Sequence, residues 1–183
     1  MSCEIKESGW QNEKNTVLHL SGIIKESIVD GPGIRYVVFA QGCPHDCAGC
    51  HNPETHPFSG GYEKSVAEIL AEIEVNPLLK GITLSGGEPF CQPCAMAALA
   101  KGARAQGLEV AAYTGYTFEE LIVMPQAAQL LATCDTVIDG RFEIGEKSPE
   151  ERFRGSYNQR IIDVAKSLLQ GEAVCDKSHR WNG

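Results

Sequence analysis

Apolar residues in the first part of the chain fall in short runs with a period of two. Val17-Leu18-His19-Leu20-Ser21-Gly22-Ile23-Ile24 alternates enough to predict a strand, and the β-branched and aromatic run from Ile34 to Ala40 predicts a second. Asp30-Gly31-Pro32-Gly33 between them is turn chemistry. From Ser65 the period changes: Val66, Ile69, Leu70 and Ile73 share one helical face, and Ser65 with Glu68 forms a capping box at its start. Gly81-Ile82-Thr83-Leu84 then reads as a short strand ending in Ser85-Gly86-Gly87-Glu88. An alanine-rich helix fits Met96 to Ala105, with Gly107 as its stop.

The later chain keeps alternating. Leu108 to Tyr113 predicts a strand, Thr117 with Glu120 a second capping box and short helix, and Gln126 to Thr133 a further helix. Thr136 to Asp139 and Gln159 to Val164 predict the last strands, separated by a long polar loop from Gly140 to Ser156. Strands alternating with helices predict an α/β fold with a largely parallel sheet and right-handed crossovers. We expect a flexible leader over 1–15, one folded domain over 16–170 and a tail over 171–183. Sites in such folds gather at the carboxyl ends of strands. The segments there are the loop after Ala40, Gly86-Gly87-Glu88, Thr114-Gly115 and Asp139-Gly140, so these are expected to converge on one rim.

Composition narrows the chemistry. With 183 residues, the chain can bury roughly 70% of its unfolded surface and does not depend on disulfides. A net charge of −8 gives no footprint for nucleic acid or for an anionic membrane. No apolar run approaches the ~20 residues of a membrane span, and the polar start lacks a secretion signal, so a cytoplasmic location is expected.

Eight cysteines in a reducing compartment point to metal rather than bridges. Three lie within eight residues, Cys43-Pro44-His45-Asp46-Cys47-Ala48-Gly49-Cys50. A zinc site would draw its fourth ligand from His45 or His51. A redox dithiol would leave the third cysteine without a role. A [4Fe–4S] cluster uses all three thiolates and leaves one iron open to a further ligand. Cys134 and Cys175, flanked by apolar residues, read as buried small hydrophobes, and Cys3 falls in the leader.

Cysteines spaced by three residues and then two, followed by Gly-Gly-Glu after the next strand, resemble the radical S-adenosylmethionine (SAM) enzymes. Asp30-Gly31-Pro32-Gly33-Ile34-Arg35 ahead of Gln41-Gly42-Cys43 is similar to their glycyl-radical-enzyme activating branch. Tyr113-Thr114-Gly115-Tyr116, Asp139-Gly140 with Phe142, and Arg154-Gly155-Ser156-Tyr157-Asn158-Gln159 narrow the resemblance to activators of anaerobic ribonucleoside-triphosphate reductase. It covers about 17–164.

The resemblance implies an open, partial β/α barrel of the radical SAM type. It implies Cys43, Cys47 and Cys50 as ligands of a [4Fe–4S] cluster whose fourth iron is chelated by SAM. Gly86, Gly87 and Glu88 would receive the methionine ammonium, with the Glu88 carboxylate facing the positive charge. Gly49, Cys50 and His51 would border the adenosine; many relatives carry a bulky residue at the position of Gly49, so adenine packing must come from elsewhere here. One electron from a flavodoxin- or ferredoxin-like donor would cleave SAM to a 5′-deoxyadenosyl radical, which removes hydrogen from a glycine of the reductase. No side-chain acid or base is required, so no catalytic side chain is expected.

Some readings stay open. Thr114 and Asp139, ending neighbouring strands, suit a SAM pocket, a monovalent cation or plain strand-end capping. Arg35 suits a cofactor or partner contact, or an internal salt bridge. Cys91-Gln92-Pro93-Cys94 suits a zinc site, a redox pair, half of another cluster's ligand set, or two free thiols. Alternative readings of the whole are an activator of a different glycyl-radical enzyme, a small-molecule radical SAM enzyme, or a non-catalytic iron–sulfur or zinc protein.

Overall fold

The computed structural model describes residues 15–182. Cys3 and most of the leader lie outside them. The chain runs β1 (Val17–Ser27), β2 (Ile34–Ala40), β3 (Tyr62–Ser65), α1 (Val66–Glu74), β4 (Leu79–Gly86), α2 (Pro93–Ala105), β5 (Glu109–Tyr113), α3 (Phe118–Val123), α4 (Ala128–Leu131), β6 (Thr136–Asp139), β7 (Arg160–Asp163), α5 (Val164–Gln170) and α6 (His179–Asn182). One open sheet holds the seven strands in the order β3-β1-β2-β4-β5-β6-β7. β2, β4, β5 and β6 pair in parallel, while β1 and β7 run against their neighbours.

Alternation along the strands builds two layers. Val110, Ala112, Val137 and Ile162 face the main core under α1 and α2. Ala111, Ile138 and Ile161 face the other side of the sheet, where they meet Trp181. α1 buries Val66, Ile69, Leu70 and Ile73, each worth roughly 1.5–3 kcal/mol when removed from water. Both capping boxes form: Ser65 with Glu68 opens α1, and Thr117 with Glu120 opens α3.

Glu72 on α1 ties three strands to the helix. It accepts from Tyr36 Oη at 2.8 Å, pairs with Lys25 at 3.2 Å and binds Lys64. The Lys64 hydrogen bond, with those from Tyr36 and Lys25, pulls the Glu72 carboxyl down to about 2 against the opposing effect of burial. A carboxyl lowered on folding stabilises above its unfolded range and loses that contribution as pH falls through its folded value. Glu72→Gln is therefore expected to lower stability by about 1 kcal/mol at neutral pH. The gap to wild type should close between about pH 4.5 and about pH 2, as urea midpoints across that range would show.

Several elements depart from the sequence reading. β1 extends to Ser27, and α2 begins at Pro93, because proline at the first helical position gives up no needed N–H. β3 and α5 were not anticipated. The described part of the expected 171–183 tail, residues 171–182, is not free: Asp163 N donates to Val174 O and Asp176 N to Ile161 O, continuing the sheet along β7. Trp181, 1% exposed, then packs on Phe153 and under the Arg35 guanidinium, plugging the sheet's second face. Among the described residues no helix is long and apolar enough to cross a membrane.

Candidate iron–sulfur and cofactor site

Register places the chemistry. Ala40 pairs with Gly86, and Tyr113 with Ile138, so β2, β4, β5 and β6 end near one level. The cysteine loop, Gly86-Gly87, Thr114 and Gly140 leave those ends and surround a cavity of about 670 Å³, within the roughly 300–1,000 Å³ usual for small-molecule sites. Its far wall is the loop after β6, with Phe142, Lys147 and Arg154.

The backbone shapes the cysteine loop. Gly42 N donates to Thr55 O at 2.8 Å, Cys43 N to His56 O at 3.0 Å and Cys50 N to Cys47 O at 3.1 Å. All three thiols are free, half-buried and line the cavity. The Cys50 sulfur also accepts the Asn52 N–H at 3.4 Å, and the backbone of His45 and of Phe142 favours the thiolates of Cys43 and Cys47. Burial, above all, pushes the Cys43 and Cys47 thiols up, so ligation must supply the charge that holds them as thiolates.

The donor set fits a cluster. Among the described residues no three His, Cys, Asp or Glu groups gather closely enough to hold one metal ion. Three thiols spread around one cavity suit a multi-iron centre, which takes a thiolate on each of three irons. Arg154 adds a buried Nε without a partner on the same wall, a donor suited to an acceptor on a bound ligand.

The expected cofactor residues divide. Cys50, His51, Gly86, Gly87 and Thr114 line the cavity. Gly49 sits in the loop, and the position a β-carbon would take lies 2.6 Å from Ile144 Cδ1, so Ile144 fills the space a bulky residue would need. His51 packs its ring against Phe142, centroids 4.8 Å apart. Thr114 Oγ1 turns away from the cavity, donating to both Glu88 oxygens at 3.0 Å. Asp139 is fully buried behind the wall: it accepts from Phe118 N at 2.7 Å and holds Arg160 at 2.6 Å. It shares a strand face with Val137, on the helix side of β6, and that parity turns it from the cavity. Glu88 is also fully buried and does not line the cavity.

Arg35 is internal. Its guanidinium binds Thr83 Oγ1 at 2.8 Å and Glu109 Oε2 at 2.9 Å, and burial draws its pKa down. Cys91 is a free thiol beside Cys43 and Glu88, raised to about 11 by burial and by those two charges. Cys94 is disulfide-bonded, so Cys91 and Cys94 do not pair with each other. Cys175 is exposed, against the expectation of burial, because it sits along the sheet edge beside β7. Cys134 is buried, its Sγ 3.4 Å from Leu130 O. Cys134→Ala is expected to cost about 1 kcal/mol of stability and to leave iron and sulfide loading unchanged.

Sequence reasoning assigned no site role to Phe142, Lys147 or Arg154, and weighed His45 only as a zinc ligand. The Asp139-Gly140 and Arg154-Gly155 motifs flagged the loop; nothing local signalled that its middle would form the wall.

An open α/β sheet that suspends a three-thiol loop over its parallel strand ends, above a ligand-sized cavity, defines an iron–sulfur protein with one cluster site. The family described as "4Fe-4S single cluster domain" matches residues 29–162. Over 143 residues the chain is 35% identical to the anaerobic ribonucleoside-triphosphate reductase-activating protein of Pasteurella multocida (strain Pm70) and 34% identical to that of Vibrio cholerae. Each alignment covers 73% of this chain and 90% of the relative. The chain is 40% identical over 104 residues to the pyruvate formate-lyase-activating enzyme of Clostridium pasteurianum, covering 52% of this chain and 44% of that one. QueE from Escherichia coli aligns with a TM-score of 0.48 at 17% identity, over 61% of this chain and 59% of that chain. The chain belongs to the family of anaerobic ribonucleoside-triphosphate reductase-activating proteins, radical SAM enzymes built on a 4Fe–4S domain.

Proposed function

We propose that this chain activates an anaerobic ribonucleoside-triphosphate reductase by generating its glycyl radical, in the cytoplasm, with an electron from a flavodoxin- or ferredoxin-like donor. The observation that carries the reading is the convergence of the three free thiols of Cys43, Cys47 and Cys50 with Gly86 and Gly87 on one cavity.

Cys43, Cys47 and Cys50 would hold three irons. Bound there, the cluster and SAM supply one-electron cleavage of the sulfonium and the power to take hydrogen from a reductase glycine. The Asn52 N–H, on the Cys50 sulfur, would draw negative charge away from the cluster. Ser85, Gly86 and Gly87 present backbone to the ligand where β4 ends. The rings of His51 and Phe142, tilted 48° to one another, supply aromatic surface for adenine beside Gly49. Lys147 brings positive charge to the opposite wall, and Arg154, paired with Glu151, offers its Nε to the ligand's carboxylate or hydroxyls. Chemistry then depends on placing the partner glycine, since no proton need move.

The test is anaerobic reconstitution with iron and sulfide, followed by reduction with SAM and the reductase. A glycyl radical signal with stoichiometric 5′-deoxyadenosine supports the proposal; a reduced cluster that leaves SAM intact overturns it.

A further inference from the structure

The Gly-Gly-Glu carboxylate has no site left for a ligand. Glu88 is fully buried, and four donors converge on it. Phe90 N reaches Oε1 at 3.0 Å, Gly115 N reaches Oε2 at 2.9 Å, Thr114 Oγ1 lies 3.0 Å from both oxygens, and His45 Nε2 lies 2.8 Å from Oε2. An ionised carboxylate offers about four acceptor positions, and these donors fill them. Ser85, Gly86 and Gly87 face the cavity; the Glu88 side chain lies behind them.

What the carboxylate holds is the cysteine loop. The His45 side chain is 4% exposed, with its ring set edge-on to Tyr116 at 4.5 Å and 74°. Gly115 makes room for it: a β-carbon there would fall 2.6 Å from His45 Nε2. His45 follows Cys43 by two residues in the same loop, and its side chain binds Glu88. Glu88 N in turn donates to Gly42 O at 2.8 Å. Cys43 is thus fastened on both sides by one residue, through its backbone at Gly42 and its carboxylate at His45.

We propose that Glu88 and His45 form a buried clamp that positions Cys43, the Glu88 carboxylate being spent on the cysteine loop rather than on the cofactor. Removing one partner leaves the other buried without its match, which is costly, and lets the ligand loop drift. Changes to residues that orient metal ligands typically weaken metal retention by about 10–100-fold.

The proposal rests on reading Cys43, Cys47 and Cys50 as cluster ligands, and its test is separable from that reading. His45→Ala, His45→Gln, Glu88→Gln and the His45→Ala/Glu88→Gln pair are compared with wild type by iron release from reconstituted protein to a ferrous chelator. SAM affinity of the loaded fraction and the apoprotein's urea midpoint are also measured. The clamp predicts roughly tenfold or faster iron release for His45→Ala and Glu88→Gln, and a double variant no faster than the worse single. His45→Gln, which keeps a donor, should restore slow release, and SAM affinity should stay within about twofold. The apoprotein midpoints should show the same non-additivity, because the clamp exists without metal. Additive effects, or Glu88→Gln losing SAM affinity with iron release unchanged, would overturn it. If Glu88→Gln does not fold, the contrast between His45→Ala and His45→Gln decides. A wild-type protein that loads no cluster would defeat the ligand reading instead.

Discussion

Cys47→Ala is expected to yield a folded protein that retains no cluster and cleaves no SAM. The fold should survive because backbone bonds carry the loop: Gly42 N to Thr55 O, Cys43 N to His56 O and Glu88 N to Gly42 O do not involve the Cys47 side chain. Cys47 is half-buried and lines the cavity rather than the core. Its loss removes one of three ligands outright, a larger insult than the roughly 10–100-fold cost of losing an outer partner. Iron and sulfide content, 5′-deoxyadenosine yield and far-ultraviolet circular dichroism measured together check this. A variant that loads a full cluster and turns over SAM would remove Cys47 from the ligand set.

The parts of this site that were legible in the sequence depend on local period. β2 and β6 keep the limits their β-branched runs suggested, and both capping boxes form where Ser65 and Thr117 precede a glutamate by three residues. The strand-end segments converge because parallel strands in register must end together. What escaped the sequence depends on pairing across the fold. β3, Tyr62-Glu63-Lys64-Ser65, has no apolar alternation, since it is an edge strand whose order comes from β1. Trp181 is one aromatic in a polar stretch, and only the concave face of the sheet explains its burial.

Glu88 and Asp139 show the same limit inside the site. Both sit at strand ends on the expected rim, yet both carboxylates are spent on internal donors. For Asp139, alternation pairs it with Val137, but β6 is buried on both faces, so only packing shows that this pair faces the helices. For Glu88 no local rule predicts His45, which lies 43 residues away. An acidic residue in a motif is thus no guarantee of a ligand; its donors decide.

Gly87→Ala is expected to cut SAM cleavage by about 100-fold or more, the cost that a misplacement of about 1 Å can carry. A β-carbon on Gly87 would lie 2.8 Å from the Gly42 carbonyl carbon, closer still to its oxygen, and 3.0 Å from Ala40 O. Every one of these is backbone, so no side chain can swing aside. The same carbonyls accept the Glu88 and Gly87 N–H groups at 2.8 Å, so relieving the clash means lifting the residue next to Cys43 off the end of β4. Stability should fall as well, by about 1–3 kcal/mol for such overpacking, which a urea midpoint would register. Gly22→Ala is the control, because a β-carbon there meets nothing within 4 Å; its turnover should stay within about twofold of wild type. Wild-type turnover by Gly87→Ala would mean that the loop and β4 are not held at the separation chemistry requires. Loss of turnover in that variant alone ties the glycine pair to the placement of Cys43 as much as to the ligand it faces.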